Sequence, residues 1–331
     1  MGRGGTPIDS GEGTIVSNRL INPLIHYVIG QVKALRERID LPGGQSFRVI
    51  RWDRNLKEVE SLYADGSVER VAGEGSHWHF HVEMELTLFV TGEGTRFVGD
   101  HIGHFGVGDL VLLGEKLPHY WDVMGECAGI SLQWNFPKGH GFWDFPEVLE
   151  LSGLFRKAGR GIRIKGGSAV VLAGMMSEML RTRGVERLGL LMRLLGYLAR
   201  VPARHGELLS QRSFSLTVGS VYQQVIGDAV RYLIANYREE IRLRDLLEMT
   251  GLSKATFSRQ FKIHAGRTFS EFVIKLRLQA AARELVETDR SVTEISYDCG
   301  FGQVSFFSRS FRKWKGCSPG EWRKGKRANG L

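Results

Sequence analysis

Two sets of residues in this 331-residue chain have types and spacings that could do chemistry. The first is the run Gly73-x5-His79-x-His81-x3-Glu85-x6-Gly92, with His119 further on. Alternate residues of a strand share a face, so His79 and His81 point the same way, and Glu85 joins them if the strand stays regular. Three imidazoles and a carboxylate are adequate ligands for a first-row divalent metal. The same side chains could instead hydrogen-bond an organic effector, or serve only as polar scaffolding. His77 has the same parity and reads as a rim residue. His101 and His104 fall in a Gly-rich stretch that reads as an exposed turn. Trp78, Trp121 and Trp134 could line a pocket, although burial in a core is the commoner fate of tryptophan.

The second set is a duplicated device. Phe-Ser-Arg-x-Phe-Lys/Arg occurs at 257–262 and again at 307–312. Each copy follows a short helical stretch and a glycine turn, Gly251-Leu252-Ser253 in one and Gly300-Phe301-Gly302 in the other. Glycine accepts the left-handed conformation that ends a helix. Ser253 is placed to cap the next helix, and Ser291 with Glu294 makes a capping-box pattern. In the first copy Phe257 and Phe261 would bury, leaving Lys254, Ala255, Ser258, Arg259 and Lys262 outward. In the second, Phe307 and Phe311 repeat the anchor, with Ser305, Ser308, Arg309 and Arg312 outside. Arginine can pair with a guanine edge through two hydrogen bonds, while Ser and Lys chiefly reach phosphates. A lone copy would read as a solvated helix face. Two copies with the same anchors, turns and caps point to double-stranded DNA.

The surrounding elements divide the chain into parts. Residues 1–44 combine a Gly-rich tail with one expected helix at 23–39. Residues 45–137 show short apolar runs (47–52, 85–90, 95–98, 109–113, 129–134) punctuated by glycine, the texture of a β-barrel or sandwich. Residues 138–214 read as a helical connector ending in a polar linker at 200–214. Leu188, Leu191, Leu195 and Leu198 there form a seam that either packs on its own domain or builds half of a dimer interface. Residues 215–331 read as all-α. From Ser220 onward there are 20 Lys and Arg against 12 Asp and Glu, a net +8 of the chain's +9. A localised positive field suits a polyanion partner. No stretch approaches the roughly 18 apolar residues of a membrane helix, and the first twenty residues lack the apolar core of a signal peptide. Cys127, Cys299 and Cys317 have neither zinc-ligand nor disulfide spacing, which suits a reducing cytoplasm.

The C-terminal third resembles the AraC/XylS family of transcription regulators. The matching residues are 241–261 and the run Gly300-Phe301, Ser305, Phe307, Arg309, Phe311, Gly316, Ser318, Pro319 and Trp322-Arg323. Arg312 stands for the family's usual Lys and Trp322 for its Tyr or Phe. The resemblance implies two helix-turn-helix units joined by a long helix at about 268–287, with both recognition helices in successive major grooves about 34 Å apart. The upstream run looks like the first motif of the cupin superfamily. The second cupin motif, Gly106-x-Gly108-Asp109 through Pro118-His119, fits only in part, since no Asn follows His119 at the expected spacing. By carry-over, His79, His81, Glu85 and His119 would be the ligands of a divalent metal. The expectation is a cytoplasmic, homodimeric, non-enzymatic regulator whose cupin-like domain binds a small-molecule effector such as a sugar or related metabolite. Its rivals are a metal-dependent cupin enzyme fused to a DNA-binding domain, and an architectural DNA-binding module without a sensor.

Overall fold

Alternating apolar and polar residues shape the N-terminal half into a single antiparallel sheet with two differently employed faces. The computed structural model describes residues 46–328 except 74, 76, 215, 218 and 219. The expected helix at 23–39 lies outside these. The strands are β1 (Phe47–Trp52), β2 (Glu58–Leu62), β3 (Val68–Ala72), β4 (Met84–Val98), β5 (His101–Phe105), β6 (Leu110–Leu113), β7 (His119–Trp134), β8 (Ile162–Ile164) and β9 (Gly206–Leu208). Their order is β3-β2-β1-β7-β4-β6-β8-β9, with β5 paired to β4. The runs at 85–90 and 95–98 belong to one strand, bent at register shifts between Phe89 and Glu93. Gly92 supplies the bend: its φ is +91°, and a Cβ there would stand 2.6 Å from Cys127 Cβ.

One face carries Leu86, Leu88, Leu110, Leu112, Ile130 and Leu132 into a core roofed by helices α1 (Leu151–Ala158), α2 (Gly166–Met179) and α3 (Gly184–Ala199). The leucine seam is spent here. Leu191, Leu194, Leu195 and Leu198 are buried in this core, and of the four expected seam residues only Leu188 is substantially exposed. Arg187 fixes the helix to the sheet, donating to the carbonyls of Thr182 (2.8 Å), Leu62 (3.2 Å) and Tyr63 (2.8 Å). The apolar face that periodicity marks is covered by the sheet's own apolar face. The expected linker also differs. Within it β9 pairs with β8, and Leu209 and Phe214 are buried, because a three-residue strand leaves no readable periodicity.

The C-terminal region is helical: α4 (Val221–Asn236), α5 (Leu243–Thr250), α6 (Lys254–Ala265), α7 (Phe269–Glu287), α8 (Val292–Asp298), α9 (Val304–Lys315) and α10 (Pro319–Ala328). Local chemistry sets the boundaries as expected. Gly251 ends α5 at φ +66°, Ser253 Oγ accepts from Thr256 N–H, and Ser291 and Glu294 cap each other's backbone. Thr268 and Glu271 do the same for α7, the long helix expected at 268–287. Two cores result. Phe301, Phe307 and Phe311 organise the second. Phe257, Phe261 and Phe272 organise the first, which also takes in Trp78, Phe97 and Ile102 from the sheet domain. The described residues lie in one compact unit.

Candidate functional site

Helices α5–α6 and α8–α9 are the two expected helix-turn-helix pairs. Phe257, Phe261, Phe307 and Phe311 are each fully buried, which orients the opposite faces of α6 and α9. On α6, Lys254, Ala255, Ser258, Arg259 and Lys262 are exposed. On α9, Ser305, Arg309 and Arg312 are exposed and Ser308 is half-buried. Arg312 approaches Glu321 (3.6 Å) in an exposed pair of little energetic weight. Arg259 and Arg309 have no ion-pair partner among the described residues, so both guanidinium forks remain available.

Two features of this region were not legible beforehand. Arg212, from the stretch expected to be linker, donates from Nη2 to the carbonyls of Lys262 (2.5 Å) and Ile263 (3.3 Å), satisfying the C-terminal end of α6. Beside α9, the Lys275 and Lys315 ammonium groups each lie 3.9 Å from the Trp314 ring centre, and Lys315 and Lys326 lie 4.3 and 5.1 Å from that of Trp322. Burial, with Arg267 nearby, pushes Lys275 down to about 7.

In the sheet domain the cluster assembles, though not by one regular strand. Residues 79–83 are extended but irregular, with a single bridge between His79 and His119, and β4 begins only at Met84. Glu85 reaches the cluster because it shares a face with Thr87, across from Ser131 and Gln133 of β7. One potential ligand atom each from His79, His81 and His119 lies within 4.8 Å of the others. Glu85 Oε2 stands 3.1 Å from His81 Nε2 and 3.8 Å from His119 Nε2.

The outer nitrogens are tied down. Nδ1–H of His79 donates to the His77 carbonyl (2.8 Å), that of His81 to Glu83 (3.1 Å) and that of His119 to Leu117 (2.8 Å). Such bonds hold each ring in place with Nε2 facing inward, the second-layer arrangement of metal-bound histidines. His119 Nε2 is buried and has no hydrogen-bond partner among the described residues. The Glu85 carboxylate accepts from Gln133 Nε2 (2.8 Å), Ser131 Oγ (3.4 Å) and Thr87 Oγ1.

Burial favours the neutral imidazole at His79 and His119, lowering the former well below its ordinary value and the latter to about 4. Burial acts the same way on His81, but its bond to Glu85 prevails and raises it. Burial would raise Glu85, yet the same bond and the His119 charge hold it below the usual carboxylate range. The donor set is therefore one carboxylate and imidazoles with inward nitrogens, which suits a first-row divalent cation. Arg48, Trp52 and Trp121 line the space beside it.

The other expected residues fall elsewhere. Trp78 packs toward the helices and Trp134 in the roofed core. His101 and His104 are strand residues of β5, not a turn. His104 is exposed, while burial and the neighbouring Arg96 push His101 down to about 3. Asp109 of the partial second motif is held by Arg96 and by Arg163 (2.8 Å), and is not one of the groups clustered with His79, His81 and His119.

Two helix-turn-helix pairs joined by one long helix, each with an exposed basic face, define a double helix-turn-helix DNA-binding domain. Residues 246–325 match the family model described as "Helix-turn-helix domain". The chain is 36% identical over 104 residues to the HTH-type transcriptional activator RhaS of Enterobacter sp. (strain 638), covering 31% of this chain and 37% of that protein. It is 26% identical over 245 residues to RhaS of Pectobacterium carotovorum subsp. carotovorum (strain PC1), covering 71% of this chain and 83% of that one. Among solved structures, a transcriptional regulator with an AraC-type DNA-binding domain from Chromobacterium violaceum is 30% identical, at a TM-score of 0.31, covering 33% of this chain and 96% of that one. The C-terminal region is thus a DNA-binding domain of the AraC/XylS type, joined to an antiparallel sheet domain. Among the described residues no helix is long and apolar enough to cross a membrane.

Proposed function

We propose that the protein is a cytoplasmic, sequence-specific transcription regulator that binds duplex DNA through α6 and α9 and binds a small-molecule effector in its cupin-like sheet domain. The observation that carries this reading is the pair of recognition helices, each anchored by two buried phenylalanines and each presenting an unpaired arginine. Arg259 and Arg309 read base edges; Lys254, Ala255, Ser258, Lys262, Ser305, Ser308 and Arg312 complete the two contact faces. His79, His81, Glu85 and His119 hold a divalent metal, which would supply a Lewis-acidic anchor for an oxygen-bearing effector such as a sugar or related metabolite. The inward nitrogens and the orphaned His119 Nε2 support the metal over direct hydrogen bonding of the effector. A homodimer would have to use surface other than the buried leucine face of α3.

The DNA reading is tested with the full-length chain and duplexes selected by it from a random pool. Binding should protect two groove segments about one helical turn apart, with affinity falling steeply as salt rises. A folded protein with no salt-dependent affinity for any duplex would overturn it. The metal reading is tested by elemental analysis: wild-type protein should retain near-stoichiometric divalent metal, and His81→Ala should lose it.

A further inference from the structure

The residues between the metal cluster and the first recognition helix form one short stretch of backbone. His79 and His81 turn into the cluster. Of the residues alternating with them, Trp78 packs in the core of the first helix-turn-helix, whereas Phe80 packs in the sheet-domain core and touches α6 through His264. Trp78 sets its ring 6.3 Å from that of Phe272 on α7, and Phe80 sets its ring 6.1 Å from that of His264 on α6. All four side chains are buried. The backbone between them is clamped as well: His79 and His119 exchange N–H···O bonds (3.1 and 2.9 Å), and Lys116 N–H donates to the His81 carbonyl (2.7 Å). A side chain at 79 or 81 cannot reposition far without displacing its neighbours at 78 and 80, because consecutive Cα atoms are held about 3.8 Å apart.

A second contact fixes a pivot. The β4–β5 turn at Gly99-Asp100 is keyed into the α6–α7 turn at Gly266-Arg267. Arg267 donates from Nε (2.8 Å) and Nη2 (2.6 Å) to the Asp100 carbonyl. A Cβ on Gly266 would stand 2.6 Å from Asp100 Cβ. Among the described residues, the core of the second helix-turn-helix takes none from the sheet domain.

We infer that residues 77–81 are a transmission segment, through which occupancy of the histidine cluster is read at the first helix-turn-helix, with Trp78 and Phe80 as its contact points. The inference rests on the proposed metal site. Filling that site draws His79 and His81 together, moves Trp78 and Phe80 against α7 and α6, and tilts the first recognition helix about the Gly266 turn. The second recognition helix follows through α7 and through the end of α4, where Tyr237 packs in both cores and Arg238 donates to the Asp298 carbonyl (3.2 Å). Such a ligand can act only by favouring one of two arrangements.

The test uses full-length protein and Ni²⁺ or Zn²⁺ alone as the probe. Metal affinity is measured by calorimetry, and amide hydrogen exchange is followed over residues 254–265, with 304–315 as internal reference. In wild type, saturating metal should change exchange several-fold in the first segment and much less in the second. Phe80→Ala should still bind metal, with affinity changed by no more than a few-fold as the lost coupling requires, and lose the response. Phe80→Leu, a milder cut that preserves folding, should retain part of it. Metal binding with no response at 254–265, or an undiminished response in both variants, would overturn the transmission while leaving the metal site standing. No metal binding by folded wild type would overturn the metal reading and the transmission with it.

Discussion

At the scale of single residues, the two arginines are the sharpest point of attack. Each stands at the same place after a buried phenylalanine, and each is exposed with a planar fork of donors. Arg259→Ala or Arg309→Ala should cost about 1–3 kcal/mol on a selected duplex and relax base preference locally. Lys262→Ala should weaken every duplex about equally, as a phosphate contact does. Binding to a panel of single-base variants separates the two outcomes, and an unchanged preference for Arg309→Ala would mean that another face of α9 enters the groove. His264 offers a different measurement. Burial lowers it to about 4 in the folded state, from about 6.5 when unfolded. Its contribution to stability is therefore intact above pH 6.5 and is lost as pH falls toward 4. His264→Leu should flatten the acid limb of a plot of melting temperature against pH; an identical limb in the variant would show that other groups set it.

At the scale of elements, a pair of glycines provides a controlled comparison. Gly266 and Gly316 both end a recognition helix in the left-handed conformation, at φ +74° and +78°. A Cβ at Gly316 would meet nothing, whereas one at Gly266 would collide with Asp100 and Phe214. Gly316→Ala should thus cost only the backbone term of about 1 kcal/mol, and Gly266→Ala clearly more. Denaturant midpoints of the two variants measure the difference, and equal costs would mean that the keyed turn yields freely. For α3, Leu195→Ala should cost about 2–5 kcal/mol, as expected for a buried core leucine rather than for a residue on an exposed dimer face. A near-neutral Leu195→Ala whose only effect was on association would contradict this packing.

What was legible in the sequence divides along the same line. The helix-turn-helix pairs could be read because their signals are local: a glycine stop, a serine cap, two phenylalanines four apart. The histidine cluster was half legible, since parity alone relates His79 to His81, whereas Glu85 and His119 depend on strand pairing. The leucine seam left two readings open because periodicity shows that a face is apolar, not what covers it. Phe97 and Ile102 packing against Ile226 and Phe272 left no trace, since any one of them reads equally well as a core residue of its own domain.

At the scale of the whole molecule, the charge distribution and the packing tell complementary stories. The excess of eight positive charges from Ser220 onward suits the C-terminal third to a polyanion, while the shared core binds the nearer half of that region to the sheet domain. Log affinity for DNA should fall linearly with log salt, and Lys262→Ala should make the slope shallower by about one; an unaltered slope would remove Lys262 from the phosphate contacts. The shared core also bears on how this protein could be recombined. A hybrid spliced at residue 215, the boundary the sequence suggests, would strip Trp78, Phe97 and Ile102 of their partners and leave a foreign helix facing an apolar socket. A splice after Glu287 would leave that socket filled and would require only that the incoming helices keep the packing of Phe301, Phe307 and Phe311 on Leu278, Ala281 and Leu285 of α7. New operator preferences should therefore be easier to graft onto the second helix-turn-helix than onto the first, and a lineage that exchanged DNA targets piecemeal would be expected to have done so from its C-terminal end.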